Sequence, residues 1–156
     1  MCAERNMKGT LAMATLLLVF NFADVTAAET RPASGESAEV AKTLLMHHLA
    51  SFTDNDLDAV VSDYTDESVL VTADATYSGR AAIRGFFADL IREFPRRKTR
   101  FDLDRLVVNE GLALIVWHAT TPTLNVPLGT DTFVLKDGKI LRQTFVGQLQ
   151  RRSDGR

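Results

Sequence analysis

Between residues 83 and 94 six large apolar side chains, Ile83, Phe86, Phe87, Leu90, Ile91 and Phe94, recur at helical spacing, and Pro95 closes the run. It is the strongest helical signal in the chain, and so continuous a stripe has to be buried against something. Everything after it reads as strand: residues 101–108, 112–121, 126–135 and 139–150 are separated by turn signals at Asn109-Glu110-Gly111, Pro122 and Asp137-Gly138. Helices first and an antiparallel sheet after them define an α+β domain. Leu114, Ile115, Val116 and Trp117 are apolar on both faces of their strand, which calls for helices on one side and a second cover, commonly another subunit, on the other.

Two further helices precede the long one. Ser37 is placed to cap a helix carrying Val40, Ala41, Leu44, Leu45, His48, Leu49 and Phe52 on one face. His48 falls inside that stripe, whereas His47, about 100° around the helix, belongs to the solvent side. Asp54, Asp56 and Asp58 supply acidic caps for a short second helix with Leu57, Val60, Val61 and Tyr64. The acidic stretch has Ala59 where a calcium loop needs glycine at its sixth position and Thr65 where it needs glutamate at its twelfth, so capping is the reading. A short strand over 69–72 and a second piece near Thr76 and Tyr77 lead to the long helix, opened by Ser78 or Gly79.

Turn chemistry suggests one register. A type I turn closed by left-handed Gly138 pairs residue 135 with 139, 133 with 141 and 131 with 143. Asp131 then faces Gln143 on the more apolar side, with Phe133, Leu135, Leu141 and Phe145; Thr130, Thr132, Val134, Ile140, Arg142 and Thr144 take the wetter side. A two-residue loop would instead set Asp131 opposite Thr144.

Residues 11–20 contain nine apolar residues of ten, follow Lys8 and precede the small residues Val25, Thr26, Ala27 and Ala28, the three-part pattern of a secretory signal. The run falls short of the roughly 20 residues that span a bilayer. Residues 1–28 are therefore read as a cleaved signal, with Met1 and Met7 both open as the start, and the product as exported to periplasm or medium with no membrane attachment after cleavage. Residues 29–36 form a flexible lead-in, 37–150 the domain and 151–156 a basic tail. The mature chain has 16 basic and 18 acidic residues and, with Cys2 gone, no thiol. That balance argues against nucleic acid as a partner. Three histidines without metal-ligand spacing argue against a metal site. No phosphate loop or nucleophile elbow is present, so no cofactor is expected. Charge is uneven: residues 29–77 hold 2 basic and 10 acidic groups, residues 78–156 hold 14 and 8, which implies steering within the fold or across a dimer. Arg92, Arg96, Arg97, Lys98 and Arg100 read as a solvated helix exit.

The order of elements, together with Asp56-Leu57-Asp58-Ala59, Asp63-Tyr64, Ser68-Val69-Leu70-Val71, Tyr77-Ser78-Gly79-Arg80-Ala81-Ala82-Ile83, Phe86-Phe87, Gly129-Thr130-Asp131-Thr132-Phe133 and Asp137-Gly138-Lys139-Ile140, resembles the SnoaL-like branch of the nuclear transport factor 2-like superfamily. The resemblance covers residues 37–149. It implies a cone-shaped curved sheet wrapped around a long helix, a pocket at the open end and, often, a homodimer. It implies no single activity, since members include isomerases, cyclases, hydrolases and association modules. Against ketosteroid isomerase, the oxyanion-donating tyrosine falls on His48 and the acidic donor on Asp131. The general base falls on Thr72, which cannot remove a proton in that way, with Asp74 two residues along.

These readings converge on a pocket that holds a small, mostly apolar molecule. His48 and Asp131 are its candidate catalytic acid/base pair, and Gln143, Tyr64 and Trp117 its ligand-binding residues, the aromatics as walls with one polar edge. A carboxylate on an apolar strand face costs on the order of several kcal/mol unless paired. The expectation is an exported, cofactor-free domain with isomerase- or hydrolase-like proton chemistry, the alternative a dimeric association or carrier module without catalysis.

Overall fold

The computed structural model of the protein describes residues 37–153. The expected export signal, residues 1–28, the expected lead-in, residues 29–36, and residues 154–156 of the tail lie outside the described residues. Helix α1 spans Ala38–Thr53, and the Ser37 side chain accepts from the Val40 amide at 3.4 Å as its cap. Ala41, Leu45, His48 and Phe52 are buried on its inner face, while Val40, expected in the stripe, stands at the first turn and is 46% exposed. Helix α2 is Leu57–Ser62, capped by Asp56 Oδ1 accepting from the Ala59 amide at 3.0 Å. Asp54 closes α1 instead of opening α2.

Tyr64 departs from the sequence reading. Its spacing from Leu57, Val60 and Val61 fits a helix, yet it opens strand β1, Tyr64–Thr72. The physical reason is tertiary: the Ile140 amide donates to the Asp63 carbonyl at 2.8 Å, and Tyr64 pairs with Ile140, so a late strand captures the chain where α2 would have continued. Strand β2, Thr76–Ser78, turns back on β1, and helix α3, Gly79–Glu93, follows directly. Pro95 ends α3 as expected, and Ile83, Phe87 and Phe94 bury its inner side.

Strands β3 (Arg100–Asn109), β4 (Leu112–Thr120), β5 (Leu124–Lys136), β6 (Lys139–Gly147) and the short β7 (Gln150–Arg151) complete the chain. The order is β2-β1-β6-β5-β4-β3, with β7 on the outer part of β5. All neighbours are antiparallel except β1 and β6, which run parallel, so the sheet is mixed where a purely antiparallel one was expected. A parallel pair needs a long crossover, and here everything from β2 to β5 provides it. Register shifts within the β1–β6, β3–β4, β4–β5 and β5–β6 pairings bend the sheet around the helices. The sheet is a curved, unclosed cone.

The β5–β6 turn corrects the predicted register. Lys136 pairs with Lys139 across a two-residue loop, with Asp137 and Gly138 both in the left-handed region. A bulge then intervenes: Leu135 pairs with Ile140 but Val134 with Arg142, so Asp131 lies opposite Phe145 and Phe133 opposite Gln143. The bulge at Leu141 restores the parity that the tight loop had changed. Asp131, Phe133, Gln143 and Phe145 therefore share the inner face after all, with Ile140 buried in the place expected of Leu141.

The acidic and basic halves of the chain meet within the fold. Arg80 pairs with Asp66, Arg84 with Asp58 and Arg96 with Asp54. Arg92 and Arg100 in the basic group have Asp89 and Asp102. Arg151, assigned to a tail, belongs to β7 and holds Glu93 at 3.0 Å; that contact, with Thr123, draws the Glu93 carboxyl below its usual range.

Candidate functional site

Five elements and one junction deliver a continuous run of polar side chains into the apolar interior. α1 supplies His47 and His48, the α2–β1 junction Asp63, β1 Tyr64, β4 Trp117, β5 Asp131 and β6 Gln143. Asp63 Oδ1 lies 2.9 Å from His47 Nδ1 and its Oδ2 3.0 Å from His48 Nδ1. On the other side of the ring, His48 Nε2 is 3.4 Å from the Tyr64 hydroxyl. That hydroxyl donates to Gln143 Oε1, Gln143 Nε2 donates to Asp131 Oδ1 at 2.8 Å, and Trp117 Nε1 donates to Asp131 Oδ2 at 2.8 Å. Among the described residues every buried side-chain nitrogen and oxygen has a partner, which is what makes so polar a core tolerable.

Burial sets the protonation chemistry. It pushes the Asp131 carboxyl above the aspartate range, against the opposing pull of the Trp117 and Gln143 hydrogen bonds and of His48. Tyr64 is driven well above its ordinary value, first by burial and then by the charges of Asp131 and Asp63, so its hydroxyl keeps its proton.

A cavity of about 40 Å³ opens against this run, lined by His48, Trp117, Asp131 and Gln143 and by a wall of Phe52, Phe86, Phe87, Phe101, Phe133 and Phe145 with Leu49, Leu90 and Ile115. The wall is stiff on one side: the Trp117 indole stacks on Phe101 at 5.1 Å and on Phe145 at 6.0 Å. On the other side Phe86 and Leu90, both half-buried, also line an outer groove with Tyr77, Ala82, Gly85, Asp89 and Glu93.

Of the residues predicted from sequence, His48, Asp131, Gln143 and Trp117 come together on the cavity. Tyr64 does not reach its wall; it sits behind, as the link between His48 and Gln143. Trp117 is more than a wall, because its N–H holds Asp131. His47 is half-exposed, as expected from its helix position, yet shares the Asp63 carboxylate. Thr72 and Asp74 lie away from the cavity, in the β1–β2 turn, where Thr72 Oγ1 accepts from the Asp74 and Ala75 amides. Asp63 is the residue that sequence reasoning missed. Its signal was an aspartate held between Val61 and Tyr64, all three buried.

A mixed, curved sheet folded over a long helix, with polar groups gathered at the inner face, is the nuclear transport factor 2-like arrangement. Within it, residues 46–143 match the SnoaL-like domain, and the chain belongs to that family. Solved structures agree on the fold. A nuclear transport factor 2-like protein of unknown function from Burkholderia xenovorans is 15% identical with a TM-score of 0.61, covering 75% of this chain and 89% of its own. SalBIII, an epoxide hydrolase/cyclase-like enzyme of pyran ring formation in salinomycin, is 18% identical with a TM-score of 0.61, covering 70% and 92%. A polyketide cyclase-like protein from Sinorhizobium meliloti is 18% identical with a TM-score of 0.57, covering 67% and 94%. Likeness at these identities carries the fold alone. No functionally curated protein matches the sequence.

Proposed function

We propose that this SnoaL-like domain is exported, binds a small, mostly apolar molecule in its cone, and moves a proton on it without a cofactor. His48 and Asp131 are the acid/base pair and Gln143 the polar positioner. The observation that carries this reading is the convergence of a histidine, a carboxylate and an amide on one cavity whose remaining lining is almost wholly aromatic and aliphatic. An apolar wall favours a hydrocarbon-rich ligand and raises the strength of the few polar contacts within it. Structural neighbours named as polyketide cyclase-like and epoxide hydrolase/cyclase-like support a reading in which this fold holds a small molecule for chemistry.

As it stands the cavity has room for a few ordered waters. Phe86 and Leu90 line both the cavity and the outer groove, so that their rotation would open the cavity to a larger ligand. Native mass spectrometry of the exported protein tests the reading: a ligand retained near one per subunit supports it. Asp131→Asn keeps the side-chain shape and removes the charge, and unchanged ligand binding and turnover in that variant overturns the assignment.

A second reading has its own observation. The outer face of the sheet carries Val107, Leu112, Leu114, Val134 and Val146, all exposed, and a homodimer or association surface there would cover them.

A further inference from the structure

The donors and acceptors between His48 and Asp131 have a direction. Tyr64 has one proton to donate and gives it to Gln143 Oε1, so its oxygen is left as the acceptor facing His48 Nε2. His48 Nδ1 faces the Asp63 carboxylate, which has only acceptors, and so carries a proton as well. In this arrangement both ring nitrogens are donors, which is the imidazolium form. At the far end Gln143 Nε2 and Trp117 Nε1 donate to the two Asp131 oxygens, which suits an ionised carboxylate. Every bond along the chain from His48 through Tyr64 and Gln143 runs towards Asp131.

One other arrangement satisfies every group. If the Asp131 Oδ1 carries a proton, it donates to Gln143 Oε1, the turned amide donates to the Tyr64 oxygen, and the Tyr64 hydroxyl donates to an unprotonated His48 Nε2. Trp117 and Asp63 keep their partners throughout. The two arrangements differ by one proton, lost from His48 Nε2 and gained by Asp131 Oδ1, and by a half-turn of the Gln143 amide. A proton on neither end leaves two acceptors facing one another in the buried chain, and a proton on both leaves Gln143 Nε2 donating to a carboxyl that has lost its charge, a weaker bond than the ordered chain makes.

We propose that His48 and Asp131 share a single proton and that the orientation of the Gln143 amide, coupled through the Tyr64 hydroxyl, follows which of them holds it. This rests on the acid/base reading of the site and deepens it: Tyr64 and Gln143 are positioning residues that tie the protonation of one cavity-lining residue to that of the other. Among the described residues, the titratable groups that bear on the pair are Asp63, His47 through Asp63, and Tyr64. The proton itself travels through solvent or substrate, since an amide turns but does not relay.

The test is NMR on the ligand-free, isotope-labelled protein, following the His48 ring nitrogens and the Asp131 carboxyl carbon from about pH 4 to about pH 9. The expected result is two macroscopic steps with a plateau between them, on which the proton fractions on His48 Nε2 and Asp131 sum to one. A plateau with both groups protonated, or both without the proton, overturns the proposal. Asp131→Asn gives an independent check. The introduced carboxamide would accept from Trp117 with its oxygen and donate to Gln143 Oε1 with its nitrogen, which imposes the reversed chain. The His48 Nε2–H signal that the proposal expects of the wild type on the plateau should be lost, in a spectrum whose dispersion reports a folded variant; its persistence unchanged sinks the idea. No ligand is involved, so this outcome is separate from the ligand screens that decide the functional reading.

Discussion

Gly129 on β5 lies directly across from Trp117 on β4, and a Cβ at residue 129 would come within 2.3 Å of the indole ring. The missing side chain lets the ring lie flat over the neighbouring strand, where its N–H reaches Asp131 and its face meets Phe145. Gly129→Ala must therefore push the indole aside. We expect a loss of about 1–3 kcal/mol, typical of an overpacked core, together with a changed fluorescence spectrum. Trp117 is the only tryptophan in the chain, so the emission reports this contact directly. A variant with wild-type urea midpoint and emission maximum would show that the strand gives way without disturbing the ring.

Asp63 holds two histidines with two oxygens, and an asparagine offers only one acceptor. In Asp63→Asn one imidazole N–H faces the amide nitrogen. Whichever of His47 and His48 loses its acceptor, a buried group is left poorly matched, at a cost of about 1–3 kcal/mol. His47→Ala removes only a half-exposed partner and should cost below about 1 kcal/mol. Equal stability loss in the two variants by chemical denaturation would contradict the view that the His48 contact is the one that matters.

Asp131 gives a pH dependence with a definite sign. Burial raises its carboxyl above the ordinary value of 3.8, so the folded state holds the proton more tightly than the unfolded chain. The stabilisation is complete below the ordinary aspartate range and is lost as pH rises through the higher folded value. Asp131→Asn keeps a neutral side chain at all pH. Its stability should match the wild type in acid and exceed it increasingly towards neutrality, as read from thermal midpoints across a pH series. Parallel curves for the two proteins would mean that the hydrogen bonds from Trp117 and Gln143 fully offset the burial.

What the sequence made legible was whatever depends on local periodicity. The α3 stripe, its Pro95 stop and the Ser37 and Asp56 caps all follow from signals along one element. What it hid depends on partners distant in the chain. Tyr64 fits a helix until β6 pairs with it, and no local signal places Ile140 beside it. The Asp131–Gln143 contact was expected for an incorrect reason: the loop is one residue shorter than assumed, and the bulge at Leu141 supplies the compensating residue. Asp63 was hidden because helix C-caps are commonly polar and exposed. Its burial comes from two helices and a strand meeting at one place.

The outer sheet face yields the last prediction. Thr132 on β5 pairs with Leu114 on β4 and with Thr144 on β6, and Leu114 in turn pairs with Val107 on β3. This row crosses the middle of a face that also exposes Leu112, Val134 and Val146, with Leu112 51% and Val146 58% accessible. Isolated apolar residues on a surface need no explanation, but exposed apolar residues on four neighbouring strands of one face do. His118, held by Asp104 at 2.9 Å and Asp102 at 3.3 Å, borders the same face with charge and would fix the register of a partner. Thr132→Arg puts a long cation at the centre while leaving the inner face untouched. If two copies meet here, the variant sediments as a monomer at concentrations where the wild type is a dimer, and its ligand binding survives. A wild type that is monomeric by analytical ultracentrifugation at about 100 μM, a weak-association range of affinity, would instead leave this face to a different protein. Capture of such a partner would then have to be abolished by the same arginine while Asp131→Asn leaves it intact, the pattern that separates an association surface from a pocket.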